Sequence, residues 1–385
     1  MLILDQAKTI GAKILVSGGG RCNVTHDVVV VDDYMGSSKN IIRNILAAFN
    51  VKQTIEWFAS MGVELKTEPG GKLFPVSDSA RTILNALTNH FDQLGGQLQA
   101  GSRVLQIIVP DESQKHFTVR HSTGQVEAKA VIMAAGGRSL PRSGSDGSGW
   151  DIIKRLGHSV SETYAALVPL VLADDMFHQE VSGVTMEAQL VMRVNKKITF
   201  QRTGSMLWTH FGISGPLAMD ASRHWLMAHG QGLDPAIECN LLGSDSFENA
   251  EKWLLELNDR NARQFIRTAL ASRLPERMAD AILRFTGIDG SRNHSQLTRE
   301  DRRKLLHSLV SFPMKITGHR GWNYAEVTAG GVPLSEISFR TMESRIIPGL
   351  YIVGEMLDCD GYIGGYNFQW AWATGFVAGN ALARC

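Results

Sequence analysis

The chain is short of cysteine, of any excess of charge and of long apolar runs, and each shortage removes a class of function. Its four cysteines, Cys22, Cys239, Cys359 and Cys385, are far apart in 385 residues and form no C-x-x-C pair. Neither a zinc knuckle nor a thioredoxin-type dithiol is indicated, and no metal site is expected. Thirty-nine basic residues balance 38 acidic ones, so no nucleic-acid partner is expected. No apolar segment reaches membrane-spanning length and no signal-peptide pattern opens the chain. A reduced, cytoplasmic protein without membrane contact fits. No Ser-His-Asp order, H-E-x-x-H or G-x-x-x-x-G-K stands out, which argues against hydrolase and NTPase chemistry.

What is abundant is apolar residue and clustered glycine. The 44% hydrophobic content suffices for two or three packed units. MLILD, residues 1–5, reads as a buried parallel strand with a carboxylate at its carboxyl end. Residues 40–61 predict two short helices, and Asp78 or Ser79 is placed to cap a helix running to about Leu94. From Gly96 to Lys129 the alternation predicts a β meander, followed by the strand AVIMAAGG, 130–137. Residues 160–240 suggest a second, mostly β unit, and 246–309 turn helical and charged. GLYIVGE then predicts a strand, and GGYNFQWAWATGFVAGNALA a helix opening on glycines. The first α/β unit is therefore split by an insertion between about 160 and 325.

Three glycine clusters, Gly18-Gly19-Gly20, Gly136-Gly137 and Gly364-Gly365, each fall where a strand meets a loop or a loop meets a helix. Each alone also reads as an ordinary tight turn. Together, with an acid ending the first strand, they point to a dinucleotide: glycine lets backbone N–H groups approach phosphates, and open α/β sheets bind ligands at the carboxyl ends of their strands. Asp5 takes the place of the ribose-binding acid. Glu355, just beyond GLYIVG, is positioned for sugar or ribityl hydroxyls, with Asp358 and Asp360 further on. Asn367 reads as a contact to a flavin edge or as a cap. The G-x-G-x-x-G fingerprint lies about 20 residues before such an acid, whereas Asp5 has four residues before it. SGGGRCN is thus a second glycine loop. Either the start is set too far downstream, or the chain is truncated, in which case dinucleotide binding is expected to be weak or lost and apolar edges exposed.

SGGGRCNVT, GGKLFPVSDSA, AAGGRSLPRSGSDGSGW, MLWTHFGISGPLAMD, VTAGGVPLSEI and TMESRIIPGLYIVGEMLDCDGYIGGYNFQWAWATG, taken in order, resemble the bacterial BaiN-like FAD-dependent oxidoreductases, some of them labelled aminoacetone oxidases. The resemblance covers essentially the whole chain. It implies an α/β fold with a split, three-layer Rossmann-like FAD-binding domain (1–159 and 326–385), an inserted β-barrel-like domain (160–245 and 310–325) and a small helical domain (246–309). It implies FAD, and for some members reduction of carbon–carbon double bonds conjugated to a ketone. By position, Asp5 matches the adenosine-ribose acid and Lys13 the basic residue before the glycine loop. Gly18, Gly19, Gly20, Arg21 and Asn23 match the loop along the flavin. Ala135, Gly136 and Gly137 match the second glycine contact, and Gly354 and Glu355 the ribityl contact. Gly364, Gly365, Tyr366 and Asn367 match the helix start that meets the isoalloxazine ring. Ala12 stands where an arginine is usual, and Ser205 where a glutamate is usual.

The expected activity is reduction of a small unsaturated or carbonyl compound, with NAD(P)H binding transiently as hydride donor. His210 and Tyr362 are the candidate proton donors, with Tyr366 an alternative. Each also reads as a structural residue. Cys22 reads as a packing residue, and Tyr366, Phe368, Trp370 and Trp372 as helix core. The competing readings are a family member that cannot hold FAD and a flavoprotein acting on RNA.

Overall fold

The computed structural model describes residues 1–384 apart from Ser113 and Ala262; Cys385 lies outside the described residues. The chain divides into two compact units, one made of Met1–Ala165 with Glu326–Cys385 and the other of Ala166–Ala325. The first crossing lies at Ala165 rather than residue 159.

In the first unit, Leu2–Leu4 pairs in parallel with Gln97–Gln99, and Val131–Met133 pairs in parallel with Leu350–Ile352. The short apolar runs become strands because β-branched and leucine side chains suit the pleat. The first run is not buried as expected: Leu2 and Ile3 are 36% and 39% exposed, because among the described residues that strand has Gln97–Gln99 as its one pairing neighbour. The meander is shorter than the alternation suggested. Val104–Ile108, Phe117–His121 and Gly124–Ala128 form an antiparallel sheet, while Gln97–Gln99 leaves it for the first strand. Helices Lys39–Ala48 and Val51–Ser60 appear where the apolar spacing put them. The helix Ala80–Gln93 starts at Ser79 without a side-chain cap, since Asp78 is turned toward Lys66. The last helix, Tyr366–Leu382, buries Tyr366, Gln369, Trp370, Ala373, Thr374, Val377 and Ala378, a three-to-four-residue rhythm that presents one face to the core. Tyr34, Trp150, Leu350, Ile352, Met356 and Trp370 belong to that core.

In the second unit seven strands form one sheet in the order Phe312–Met314, Ala236–Asn240, Thr185–Val194, Lys197–Thr209, Gly212–Ser214, Leu170–Leu172, Ile316–His319. Its two outermost strands are consecutive in the chain, joined through Lys315, so the sheet must curl round on itself. The long hairpin turns at Asn195 and Lys196, both with positive φ (51° and 67°), the conformation a tight two-residue hairpin requires. Helices Phe247–Asn261, Ile266–Ala271, Glu276–Thr286 and Arg299–Val310 occupy the charged stretch. No helix among the described residues is long and apolar enough to cross a membrane.

Candidate functional site

The first glycine cluster forms a tight turn, Ser17–Gly20, directly after the short helix Ala12–Val16. Gly18, Gly19 and Gly20 have φ of 55°, 69° and 85°, and Cys22 follows at 62°. Gly18 and Gly19 both lie in the left-handed region, which glycine enters without the Cβ penalty. Cys22 is buried, and burial pushes its thiol up to about 11; a protonated, enclosed thiol is a packing group, as expected. Asn23 is also buried, and its Oδ1 has no hydrogen-bond partner. Arg21 is committed: its guanidinium donates to Glu68 at 2.6 Å, lies 3.5 Å from Asp78 and covers the Phe74 ring at 4.0 Å.

The second cluster follows Val131–Met133. Gly136 has φ 72°, and a Cβ there would come 2.8 Å from the Ser145 hydroxyl. Ser145 is buried, and its Oγ too has no partner. The neighbouring loop reaches the end of the first strand, where the Gln6 side-chain amide donates to the Gly144 carbonyl. There Asp5 accepts the Ala7 N–H at 2.8 Å, so its carboxylate is fixed by a local turn.

Glu355 is the hub of the third element. One carboxylate oxygen accepts the Thr328 N–H at 3.0 Å and the Ser139 hydroxyl at 2.9 Å, and the other is ion-paired to Lys13. Lys13 also donates to Ser139 Oγ at 2.7 Å. Gly137 abuts this cluster, since a Cβ there would lie 2.7 Å from Glu355 Oε1. Lys13, Gly137 and Glu355 are thereby brought together from three distant segments. Gly354 is held by the last helix, its N–H donating to Thr374 at 3.0 Å and its carbonyl accepting the Trp370 indole at 3.1 Å.

The last helix opens at Gly365, which has φ 96° and would place a Cβ 2.7 Å from the Thr25 backbone. Only glycine fits there. Tyr366 stacks on His26 at 4.9 Å, and its carbonyl accepts the Tyr34 hydroxyl at 2.8 Å. Asn367 does not cap the helix. Its amide grips the Gly361 backbone from both sides, at 2.8 and 2.9 Å. Buried Tyr366 and Trp370 bear out the helix-core reading of the aromatic run at those positions. Asp358 and Tyr362 are half-buried in the segment before this helix, with their backbone N–H groups bonded to Val332 and Asp33.

His210 belongs to the second unit. It is exposed at the turn between Lys197–Thr209 and Gly212–Ser214, edge-on to Phe211. His178, buried beside it, is pushed below the ordinary histidine value chiefly by burial. No His/Cys/Asp/Glu group suited to a metal occurs among the described residues.

Sequence reasoning missed Ser139, Thr328 and Ser145, which the fold adds to the glycine and acid positions. Ser139 and Ser145 lie within GGRSLPRSGS, so a polar residue close behind a glycine pair was the available signal. Thr328 had none.

Backbone turns at strand ends, an acid after a parallel strand and the unmatched buried atoms Asn23 Oδ1 and Ser145 Oγ fit a dinucleotide bound to this α/β unit. The HI0933-like protein Rossmann domain matches residues 1–381. The chain belongs to this family of FAD-dependent oxidoreductases. It is 32% identical to a 3-dehydro-bile acid delta(4,6)-reductase of Clostridium scindens over all of this chain and 93% of that protein. It is 31% identical to a ribosomal RNA dihydrouridine synthase of Escherichia coli over 99% of this chain and 92% of that protein. Among solved structures, 3-ketosteroid delta1-dehydrogenase of Sterolibacterium denitrificans aligns over all of this chain and 94% of its own, with a TM-score of 0.50 and 11% identity, a likeness of fold.

Proposed function

We propose that this protein reduces a carbon–carbon double bond conjugated to a carbonyl in a small molecule, with NAD(P)H as hydride donor. The observation that carries the reading is the pair of full-length relatives. Both are named for reductions of this kind, one on a 3-dehydro bile acid and the other giving dihydrouridine. The two products share a saturated bond next to a carbonyl although their substrates differ in size and charge.

Bound FAD supplies the hydride transfer. The chain supplies the rest. Asp5 is assigned to ribose hydroxyls, and the Gly18–Gly20 turn and Gly136-Gly137 offer backbone N–H groups. Lys13 neutralises Glu355, which in turn is assigned to ribityl hydroxyls. Asn23, Gly364, Gly365, Tyr366 and Asn367 are assigned to the flavin end, and Asp358 to the same segment. When hydride adds to the carbon beta to the carbonyl, the alpha carbon takes a proton. His210 and Tyr362 are the candidate donors.

A second reading, reduction of uridine within RNA, has one observation in its favour beside the relatives' names. Residues 260–304 carry 11 Arg and Lys against 5 Asp and Glu. At least four of the 11 already face carboxylates: Arg267 binds Asp280 and Glu276, Arg273 binds Asp245, Arg284 binds Glu180 and Arg302 lies near Glu251. The small-molecule reading is therefore preferred.

The test is anaerobic. Purified protein with FAD is mixed with NADH or NADPH, then with a steroid enone or with a uridine-containing RNA, and products are weighed. A gain of two hydrogens on the enone supports the proposal. The same gain on RNA alone establishes the second reading, and no gain on either removes both.

A further inference from the structure

Ser145 Oγ is a buried polar atom of the first unit that no assignment above uses. Ser145 is 6% exposed, and its hydroxyl has no hydrogen-bond partner. An unmet buried hydroxyl costs stability. Its surroundings are occupied with one another. The Asp146 carboxylate accepts the Ser148 N–H at 3.0 Å and the Arg103 guanidinium at 2.8 Å. The Gly144 carbonyl accepts from Gln6, and the Gly147 N–H donates to Gly137 at 3.0 Å. The loop is thus held without Ser145.

Its location specifies what it faces. A Cβ on Gly144 would lie 3.5 Å from Ala7 and 3.7 Å from the Asp5 carboxylate, so the loop abuts the carboxyl end of the first strand. An acid at that place in an open α/β sheet meets the ribose of a dinucleotide. Asn23, whose Oδ1 is likewise unmatched, lies beside Gly18, where a Cβ would come 3.0 Å from the Asn23 N–H nitrogen. That glycine loop is the part assigned to the flavin end.

We propose that the Ser145 hydroxyl is a hydrogen-bond donor to the adenosine-diphosphate half of the cofactor, to a ribose or diphosphate oxygen. The assignment rests on the FAD reading. A turn about χ1, between staggered wells, swings the hydroxyl out of the interior without giving up an existing bond. Gly136 leaves the room for it, because a side chain there would press on Ser145 Oγ.

The test compares wild type with Ser145→Ala in the full chain, titrating FAD, ADP, adenosine and riboflavin and following thermal unfolding without ligand. The variant is expected to bind FAD and ADP about five- to tenfold more weakly, the scale of one hydrogen bond, to bind riboflavin as wild type does, and to melt no lower. An effect that persists with adenosine assigns the partner to the ribose, and one seen with ADP alone to the diphosphate. Asn23→Ala should show the converse pattern, weakening riboflavin and sparing ADP. Unchanged FAD and ADP affinities, equal weakening of riboflavin, or a lowered melting temperature with unchanged affinities each overturn the proposal. If Ser145→Ala does not fold, the near-isosteric Ser145→Cys, a weaker donor, is held to the same criteria. Wild type that takes up neither FAD nor ADP overturns the cofactor reading itself, and this assignment with it.

Discussion

Two sets of buried polar groups in the first unit follow opposite rules. Gln369 is fully buried; its carbonyl oxygen accepts from Thr25 at 2.7 Å and Thr54 at 2.9 Å, and its amide donates to the Phe49 carbonyl at 2.9 Å. The His158 side chain is fully enclosed, with its two ring nitrogens 2.6 Å from Glu336 and 2.7 Å from Ser344. Ser344 Oγ in turn accepts the Ile346 and Ile347 N–H groups at 3.0 and 2.8 Å. Glu355 has partners on both oxygens. Asn23 Oδ1 and Ser145 Oγ have none. Groups that hold the fold find partners inside the protein, because a buried polar atom left alone costs stability. On the reading proposed above, Asn23 Oδ1 and Ser145 Oγ carry that cost until a ligand arrives, whereas Glu355 meets its ligand with partners already in place. The Ser-His-Glu trio makes the same point from the other side. It has the order of a hydrolase triad, yet its serine accepts from two backbone N–H groups and both serine and histidine are buried.

The comparison can be broken at several places. The largest effect is expected from Gly365→Ala, which forces a side chain against the Thr25 backbone at a φ of 96°. A loss of about 3 kcal/mol or more should appear in denaturant unfolding, and a melt like wild type would show that the helix start is softer than drawn. His158→Ala leaves Glu336 and Ser344 facing a void and is expected to cost about 2–4 kcal/mol, with His158→Gln recovering part of it. Glu355→Gln keeps the shape but leaves Lys13 without its counter-charge. About 1–3 kcal/mol should be lost, together with FAD affinity if the carboxylate meets the ribityl chain.

A smaller effect is set by pH. Burial alone would raise the Glu336 carboxyl, but hydrogen bonds from Ser159 and His158 outweigh it and hold the group below its ordinary 4.5. A depressed carboxyl stabilises the fold above the unfolded value, and that contribution is lost as pH falls through the lower folded value. Acid unfolding curves should therefore steepen below about pH 4.5, and Glu336→Gln should flatten that part of the profile. The smallest effect on stability belongs to Asn23→Ala. Free of ligand it should unfold within about 0.5 kcal/mol of wild type, while its FAD affinity falls. A large loss of stability would move Asn23 into the fold-holding set.

Much of this was legible in the chain. The glycine turns, the helices at 39–60, the split of the nucleotide unit and the buried face of the last helix follow from spacing and residue type, which act over a few residues. The apolar run MLIL was read as a buried strand, and strand it is, but burial depends on neighbours and Leu2 and Ile3 remain partly exposed. Asp78 or Ser79 was read as a cap; the helix starts at Ser79 without a side-chain bond, and Lys66 and Arg21 claim Asp78. Asn367 was read as a flavin contact or a cap; it does not cap, because its amide is bonded to Gly361 on both sides. In each case a partner distant in sequence or across a turn won over the local signal.

By itself the sequence determined the α/β class, the position of each glycine turn and the acids near them, since φ > 0 and strand periodicity are properties of short segments. Only the tertiary structure decided that Lys13, Ser139, Thr328 and Glu355 share one network and that Ser145 is left without a partner. Such pairings join residues up to 342 positions apart, and no local rule spans that distance; they form when packing excludes water and every buried polar atom must find a neighbour or go without.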